Sequence, residues 1–429
     1  MSYITELLPS KSDYVGAKKY WRHDVIAGIT VGIVALPLAL AFGITAGAGA
    51  RAGLITAIYA GLIAAIFGGS NFQVSGPTGA MTVVLIPIVL KCGTASLAPL
   101  GLAAGVLVVV MGLTHCGALI RRVPWPVMEG FTLGIALVIA LQQLPSVLAF
   151  HSISGANTLV TAWRTFRGAL SAGLHWSSLA LMVITLLVKF NYPRISRLLK
   201  IKVHIPASFV AIIVATFLVP IFSLHTPLIG NLPRSLYQHV SLSKSHIGLS
   251  ALVVGAVEIA LLAAIESLLS ARVADQMAHI HESAVSYKPN RELIGQGLAT
   301  MISSMVGGMP ATGAIARTSV NVRSKAQSRI SSITHAGFLL LVVLVLNPVI
   351  AHIPTAALGA VLIGTSYRIA SPANLKEMLK TTRLDAATLL ITAALVVVIG
   401  LIWAIALSTA GYFLATIILK SVNLKKVRK

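Results

Sequence analysis

The sequence predicts an all-α membrane protein of 14 transmembrane segments, built as two inverted seven-segment repeats. The third segment of each repeat is a half-helix, and the two half-helices (spans 3 and 10) meet at the midplane. Three observations lead there. First, hydrophobic residues make up 56% of the 429 residues and charged residues 10%, with mean hydropathy +0.89. A soluble chain could not hide that much apolar surface. Second, Lys and Arg recur in alternate short loops, as orientation in a membrane requires. Third, two apolar segments are too short to cross. One runs from Ala80 to Leu90 after the polar, glycine-rich stretch Gly68–Gly79, and the other from Ala314 to Val322 after Gly307–Gly313. At about 1.5 Å per residue neither covers a hydrocarbon core of about 30 Å.

Composition also excludes classes. The net charge of +22 would suit a nucleic-acid binder, but the basic residues sit in short loops beside apolar runs and set topology instead. Nucleic acid is therefore not an expected partner. Cys92 and Cys116 lie in or near apolar segments and make neither a CxxC pair nor a disulfide framework. Met1–His23 is polar and carries no cleavable signal pattern. There is no GxSxG, P-loop or HExxH spacing. His279-Ile280-His281-Glu282, and His225, His239 and His246 in an outer loop, do not form a metal set. No enzyme activity, metal or cofactor is expected.

The elements follow in order. A cytoplasmic N-terminal segment (1–23) precedes the first repeat (24–219). Its spans are Asp24–Gly43, Gly53–Phe67, Gly79–Leu90, Leu97–Leu119, Val127–Leu144, Ser171–Phe190 and Ile205–Val219. Asn157–Leu170, with Trp163, Arg164 and Arg167, reads as an interfacial helix. An outer connecting loop (220–247) leads to the second repeat (248–421). Its spans are Gly248–Val273, Glu292–Val306, Gly313–Val322, Ile330–Val349, Thr355–Tyr367, Asp385–Leu401 and Ile402–Leu419, before a basic cytoplasmic tail (422–429). With the N-terminus inside, Arg121-Arg122, Lys189 to Lys202, Arg291, Arg323 to Arg329 and the tail all fall in the cytoplasm. Seven spans per repeat invert the second repeat, so the two half-helix N-termini meet head-on. The stretches leading in, Phe72–Ser75 and Met309–Ala311, are expected to be extended.

Helix N-termini expose free N–H groups and the positive end of the helix dipole, so two of them at one place favour a small anion. Thr78 and Thr312 offer hydroxyls at the two starts, roles that also fit plain N-caps. Gly76, Gly79, Gly313 and Ala314 are small where backbone would approach the ligand, and Ala80 and Gly313 join Gly79 and Ala314 in the candidate substrate site. Arg317, one turn into the second short helix, adds a full charge and could balance Glu266 in an empty site. Of eleven acids, three lie within or near spans: Glu129, Glu258 and Glu266. Glu129 fits a helix start and Glu258 an outer position. A mid-span carboxylate costs roughly 2.5–3.5 kcal/mol to insert, so Glu266 needs a purpose. Ser270 shares its helix face, and the pair is the candidate coupling-ion site.

These residues resemble the SulP anion transporter family (solute carrier family 26 in animals). Ala35–Gly43, with Pro37, resembles the family's first-span proline motif, and Gly76–Thr82 its third-span start. Ile265–Ser270 resembles the eighth-span acid motif. Gly295-Gln296-Gly297 and Thr312–Asn321 resemble spans nine and ten. The flavour is that of the cyanobacterial sodium–bicarbonate branch. The resemblance implies a seven-plus-seven fold with core and gate parts, elevator-like movement, an anion site at Thr78, Gly79, Ala314 and Arg317, and Glu266 as coupling acid. Leu38 stands where sulfate-type members carry glutamine, and Glu266 where sodium-coupled members carry aspartate. No STAS domain is expected after the last span, which leaves a homodimer open.

The expectation is a secondary active transporter in a bacterial inner membrane, both termini cytoplasmic. It would carry bicarbonate, sulfate or a dicarboxylate with a proton, or sodium, as coupling ion. A nucleobase transporter of the same architecture and an uncoupled anion channel are the alternatives. Arg317 disfavours the first, and a coupling role for Glu266 the second.

Overall fold

Each long apolar run closes its backbone hydrogen bonds within itself, as a chain in hydrocarbon must. The result is a mostly helical membrane protein. The structure is a computed structural model that describes residues 7, 9–14, 17–117, 123–151, 157–200, 205–231, 247–278, 287–370 and 372–427. Arg121-Arg122, Lys202, the His279–Glu282 stretch, most of the outer connecting loop with His239 and His246, and the last two tail residues lie outside the described residues.

In chain order the first elements are α1 (Ala17–Thr45), α2 (Ala50–Phe67), β1 (Ser75–Gly76), α3 (Gly79–Cys92) and α4 (Leu97–Leu113). Then come α5 (Trp125–Gln142), α6 (Leu144–Leu148), α7 (Thr158–Ala172), α8 (Trp176–Leu198) and α9 (Ala207–Ile221). The chain continues through α10 (Leu249–Ala278), α11 (Pro289–Met305), β2 (Thr312–Gly313), α12 (Ile315–Arg323) and α13 (Ile330–Ala351). It ends with α14 (Thr355–Ala370), α15 (Pro372–Met378), α16 (Arg383–Ile399) and α17 (Leu401–Val427). Among the described residues, eight helices are long and apolar enough to cross a membrane, and α3 and α9 are shorter apolar helices.

Both half-helices form, α3 with 14 residues and α12 with nine. The lead-ins are extended, but they also pair. β1 and β2 are antiparallel, with Ser75 opposite Gly313 and Gly76 opposite Thr312. That ribbon departs from the all-α expectation.

The chain divides into two units. The first comprises Met1–Arg121, Ser146–Ala149 and His175–Leu362. Within it α11 lies along α4, and α1 along α13. The first contact is close because Gly105 and Gly297 face each other. A Cβ on either would come within 2.6 Å of the other's carbonyl oxygen, a small-residue packing typical of membrane helices. The second unit comprises Arg122–Pro145, Phe150–Leu174 and Ile363–Lys429. There α5 packs on α16, and α16 on α17. Tyr412 donates to Asp385 Oδ1 (3.0 Å), and Thr382 caps α16 by accepting the Asp385 N–H (3.1 Å). The expected interfacial helix is α7. It is capped by Asn157, with Trp163, Arg164 and Arg167 exposed.

In the first unit the stretch before β1 is tied down by charges. The Glu292 carboxylate accepts the N–H groups of Gly69 (2.7 Å) and Ser70 (2.9 Å) and the Gln73 amide (2.8 Å). Arg329 donates to Asn71 Oδ1 (2.8 Å) and to the Gly68 carbonyl (2.8 Å). Arg291 makes two bonds to Asp13 (2.9 and 2.8 Å), which fastens the N-terminal segment. Burial alone would raise the Asp13 pKa. The Arg291 bond, the Ser10 N–H and the Arg329 and Arg291 charges outweigh it and hold the carboxyl at about 2. Arg291 and Arg329 are buried, although in sequence they look like solvated loop charges. A buried charge needs such partners.

Candidate functional site

Every candidate site residue lies in the first unit. The two chains of the ribbon run straight on into helices, so the β1–β2 pairing brings the starts of α3 and α12 to one place. Thr78 is the N-cap of α3 and accepts the Met81 N–H (3.4 Å). Helix geometry leaves the N–H groups of Gly79 and Ala80 without an intrahelical partner. Ala314 is the N-cap of α12 and makes no side-chain cap bond. Its own N–H is bound to Val74 O (2.9 Å). Capping therefore explains Thr78 but not Thr312.

Glu266 joins the two starts. It projects from α10, is 8% exposed, and through one oxygen, Oε2, accepts from both Thr78 Oγ1 (2.9 Å) and Thr312 Oγ1 (2.7 Å). The same face of α10 supports the ribbon. Ser267 Oγ accepts the Gly313 N–H (3.0 Å), and Ser270 Oγ donates to Thr318 Oγ1 (3.0 Å), which accepts the Val74 N–H (3.1 Å). Ser270 thus works through Thr318, one turn from Glu266.

Arg317 is fully enclosed, 1% exposed. Its Nη2 donates to the Pro77 carbonyl (2.6 Å), at the start of the opposite half-helix. Nε and Nη1 have no hydrogen-bond partner among the described residues. Nor does Arg317 pair directly with Glu266. Asp13, by contrast, does form salt bridges with Arg291 and Arg329. The expected balance between Arg317 and Glu266 is therefore not a contact. The carboxylate is satisfied by hydroxyls and the guanidinium by a carbonyl, which leaves guanidinium donors free.

Sequence reasoning missed the residues that shape this place from behind. Gln73 packs over Gly313, where a Cβ would overlap its amide nitrogen, and Gln73 in turn is held by Glu292. Gln296 accepts from Ser75 Oγ (2.8 Å) and donates to Ala311 O (2.9 Å), fastening both strands. The Gly295-Gln296-Gly297 motif was the one sequence signal for it. We expect Gly313→Ala to displace Gln73 from Glu292. It should lower uptake at least roughly tenfold, on the scale of losing a charge-assisted hydrogen bond, while insertion into membranes stays normal. Unchanged uptake kinetics in proteoliposomes would show that this packing does not matter.

Among the described residues no three His, Cys, Asp or Glu side chains converge on a point that could hold a metal ion. The chemistry on offer is electrostatic: two helix starts, a buried guanidinium, two hydroxyls and one carboxylate.

Comparison with known proteins places this arrangement in context. The sequence pattern of the sulfate permease family matches residues 21–392. YvdB of Bacillus subtilis (strain 168) is 33% identical over 402 residues, covering 90% of this chain and 72% of YvdB. The bicarbonate transporter BicA of Picosynechococcus sp. is 31% identical over 353 residues, covering 79% of this chain and 60% of BicA. The solved transmembrane domain of a cyanobacterium bicarbonate transporter BicA superposes with a TM-score of 0.80 at 28% identity. That match covers 90% of this chain and 97% of the solved one.

Proposed function

This chain belongs to the sulfate permease family, and from that premise we propose that it is a proton-coupled secondary transporter of a small oxyanion. Bicarbonate, sulfate and small dicarboxylates are the substrate classes. The architecture we infer has 14 spans as two inverted seven-segment repeats (24–219 and 248–421), in a bacterial inner membrane, working by elevator-like alternating access. The substrate site comprises Thr78, Gly79, Ala80, Thr312, Gly313, Ala314 and Arg317, with Glu266 and Ser270 serving the coupling ion.

One observation carries the reading. A single carboxylate oxygen of Glu266 takes both threonine hydroxyls at the two helix starts, beside a guanidinium with unpartnered N–H groups. With Glu266 ionised, both hydroxyls are engaged on it and its charge opposes an incoming anion. Protonation of Glu266 removes the charge and weakens its hold on the hydroxyls. They then rotate toward the anion, joining the Arg317 N–H groups and the free backbone donors of α3 and α12. Proton and anion thereby favour each other's binding, and the loaded site carries less net charge across the bilayer.

The test is uptake of labelled bicarbonate, sulfate and fumarate into proteoliposomes under imposed proton or sodium gradients. We expect one of these anions to concentrate under an inward proton gradient with sodium absent. A strict sodium requirement would overturn the coupling, and uptake of none of them would overturn the substrate class.

A further inference from the structure

His335 is a buried titratable side chain that this reading leaves unused. It sits on α13, fully buried, and neither ring nitrogen has a hydrogen-bond partner among the described residues. One turn earlier on the same helix, Ser332 Oγ donates to the Gln73 carbonyl (2.8 Å), so this face of α13 lies along the extended lead-in to α3. Alternate carbonyls of an extended chain point the same way. Val74 O faces β2 and accepts the Ala314 N–H, so the Gln73 and Ser75 carbonyls face away from it. Gln73 O meets Ser332, and two residues beyond Ser75, Pro77 O meets Arg317 Nη2.

Between these two, Ser75 O and the His335 ring both border Gly61 of α2. A Cβ on Gly61 of α2 would lie 3.3 Å from Ser75 O and 3.5 Å from His335 Nδ1. Arg317 borders the same lane. A Cβ on Gly76 would overlap Arg317 Nη1 and lie 3.4 Å from Cα of Ala57, one turn before Gly61 on the same face of α2. A guanidinium with free N–H donors, an imidazole with a free acceptor and a backbone carbonyl thus border one buried lane. Buried polar groups left unpaired are rare because each loses its hydration without return.

We propose that His335 is a positioning residue for Arg317, acting through a buried water that accepts from Arg317 Nη1 and donates to His335 and Ser75 O. Buried waters make about three hydrogen bonds, the number available here. The link fixes the guanidinium plane and so decides which N–H groups are presented to the anion. It rests on the reading of Arg317 as an anion-binding group.

His335→Leu removes the acceptor and keeps bulk. It is expected to raise the half-saturating anion concentration roughly tenfold, the scale of a hydrogen bond to a charged group, with little change in maximal rate. His335→Asn, whose Oδ1 can replace Nδ1 as acceptor, should recover most of the loss. In an Arg317→Ala background, His335→Leu should add nothing. An additive effect, a fall in maximal rate alone, or no recovery by Asn would each overturn the positioning role. If Arg317→Ala itself leaves half-saturation unchanged, the site reading fails and this role with it. If Arg317→Ala weakens uptake and His335→Leu does not, the positioning role alone fails. Should the Leu variant not insert, an experimental map of the unaltered protein at a resolution that shows waters decides. Density within hydrogen-bonding distance of both His335 and Arg317 supports the link, and its absence overturns it.

Discussion

Replacing Arg317 with alanine should weaken anion binding by about 10- to 150-fold, the equivalent of the roughly 1.5–3 kcal/mol that a hydrogen bond to a charged group contributes. The effect is large because Arg317 is buried at the place where the starts of α3 and α12 meet. Its Nη2 is spent on Pro77 O, so the guanidinium is held while Nε and Nη1 stay unpartnered. Alanine removes the charge and unties Pro77 from α12. Lysine restores the charge but not the planar fork, which holds Pro77 with one nitrogen and leaves two others free. Arg317→Lys should therefore recover only part of the affinity. Calorimetric titration with the transported anion checks this. An unchanged binding constant in Arg317→Ala would remove the arginine from the site.

Glu266→Gln should abolish proton-driven accumulation while leaving anion exchange. Glutamine, like the protonated acid, keeps a carbonyl oxygen that can accept from Thr78 and Thr312, but more weakly than a carboxylate, so the helix starts stay joined and the hydroxyls can still turn to the anion. It can neither gain nor lose a proton, so the cycle has nothing to carry with the anion. Uptake should stop at the outside concentration under an inward proton gradient, and counterflow of labelled against unlabelled anion should persist. Glu266→Asp draws the carboxylate back by one methylene from hydroxyls now at 2.9 and 2.7 Å, and reduced activity is expected. If Glu266→Gln still concentrates the anion, the proton is carried elsewhere.

Much of this candidate site is legible in the sequence because its parts break membrane rules locally. Segments too short to span, glycines and prolines before them, and a carboxylate in mid-span are each costly in hydrocarbon. They drew attention to Thr78, Thr312, Glu266 and Arg317. What escaped is non-local. Two-residue strands have no periodicity, so the Ser75–Gly313 register could not be read. Arg317 meets a backbone carbonyl 240 positions away, and no residue type announces that. Arg291 and Arg329 looked like cytoplasmic loop charges but are buried supports, because their partners are Asp13 and loop carbonyls. Glu292 looked like a span end and instead anchors the lead-in to α3. Ends of elements moved too. α10 runs to Ala278, past the expected Val273, and α12 begins at Ile315 rather than Gly313.

The most direct test of an anion held between the two half-helix starts is a structure determined with and without saturating transported anion. Difference density is expected beside the first N–H groups of α3 and α12, within hydrogen-bonding reach of Arg317, with the Thr78 and Thr312 hydroxyls turned from Glu266 toward it. Density at any other place, in a preparation that still transports, would contradict the site.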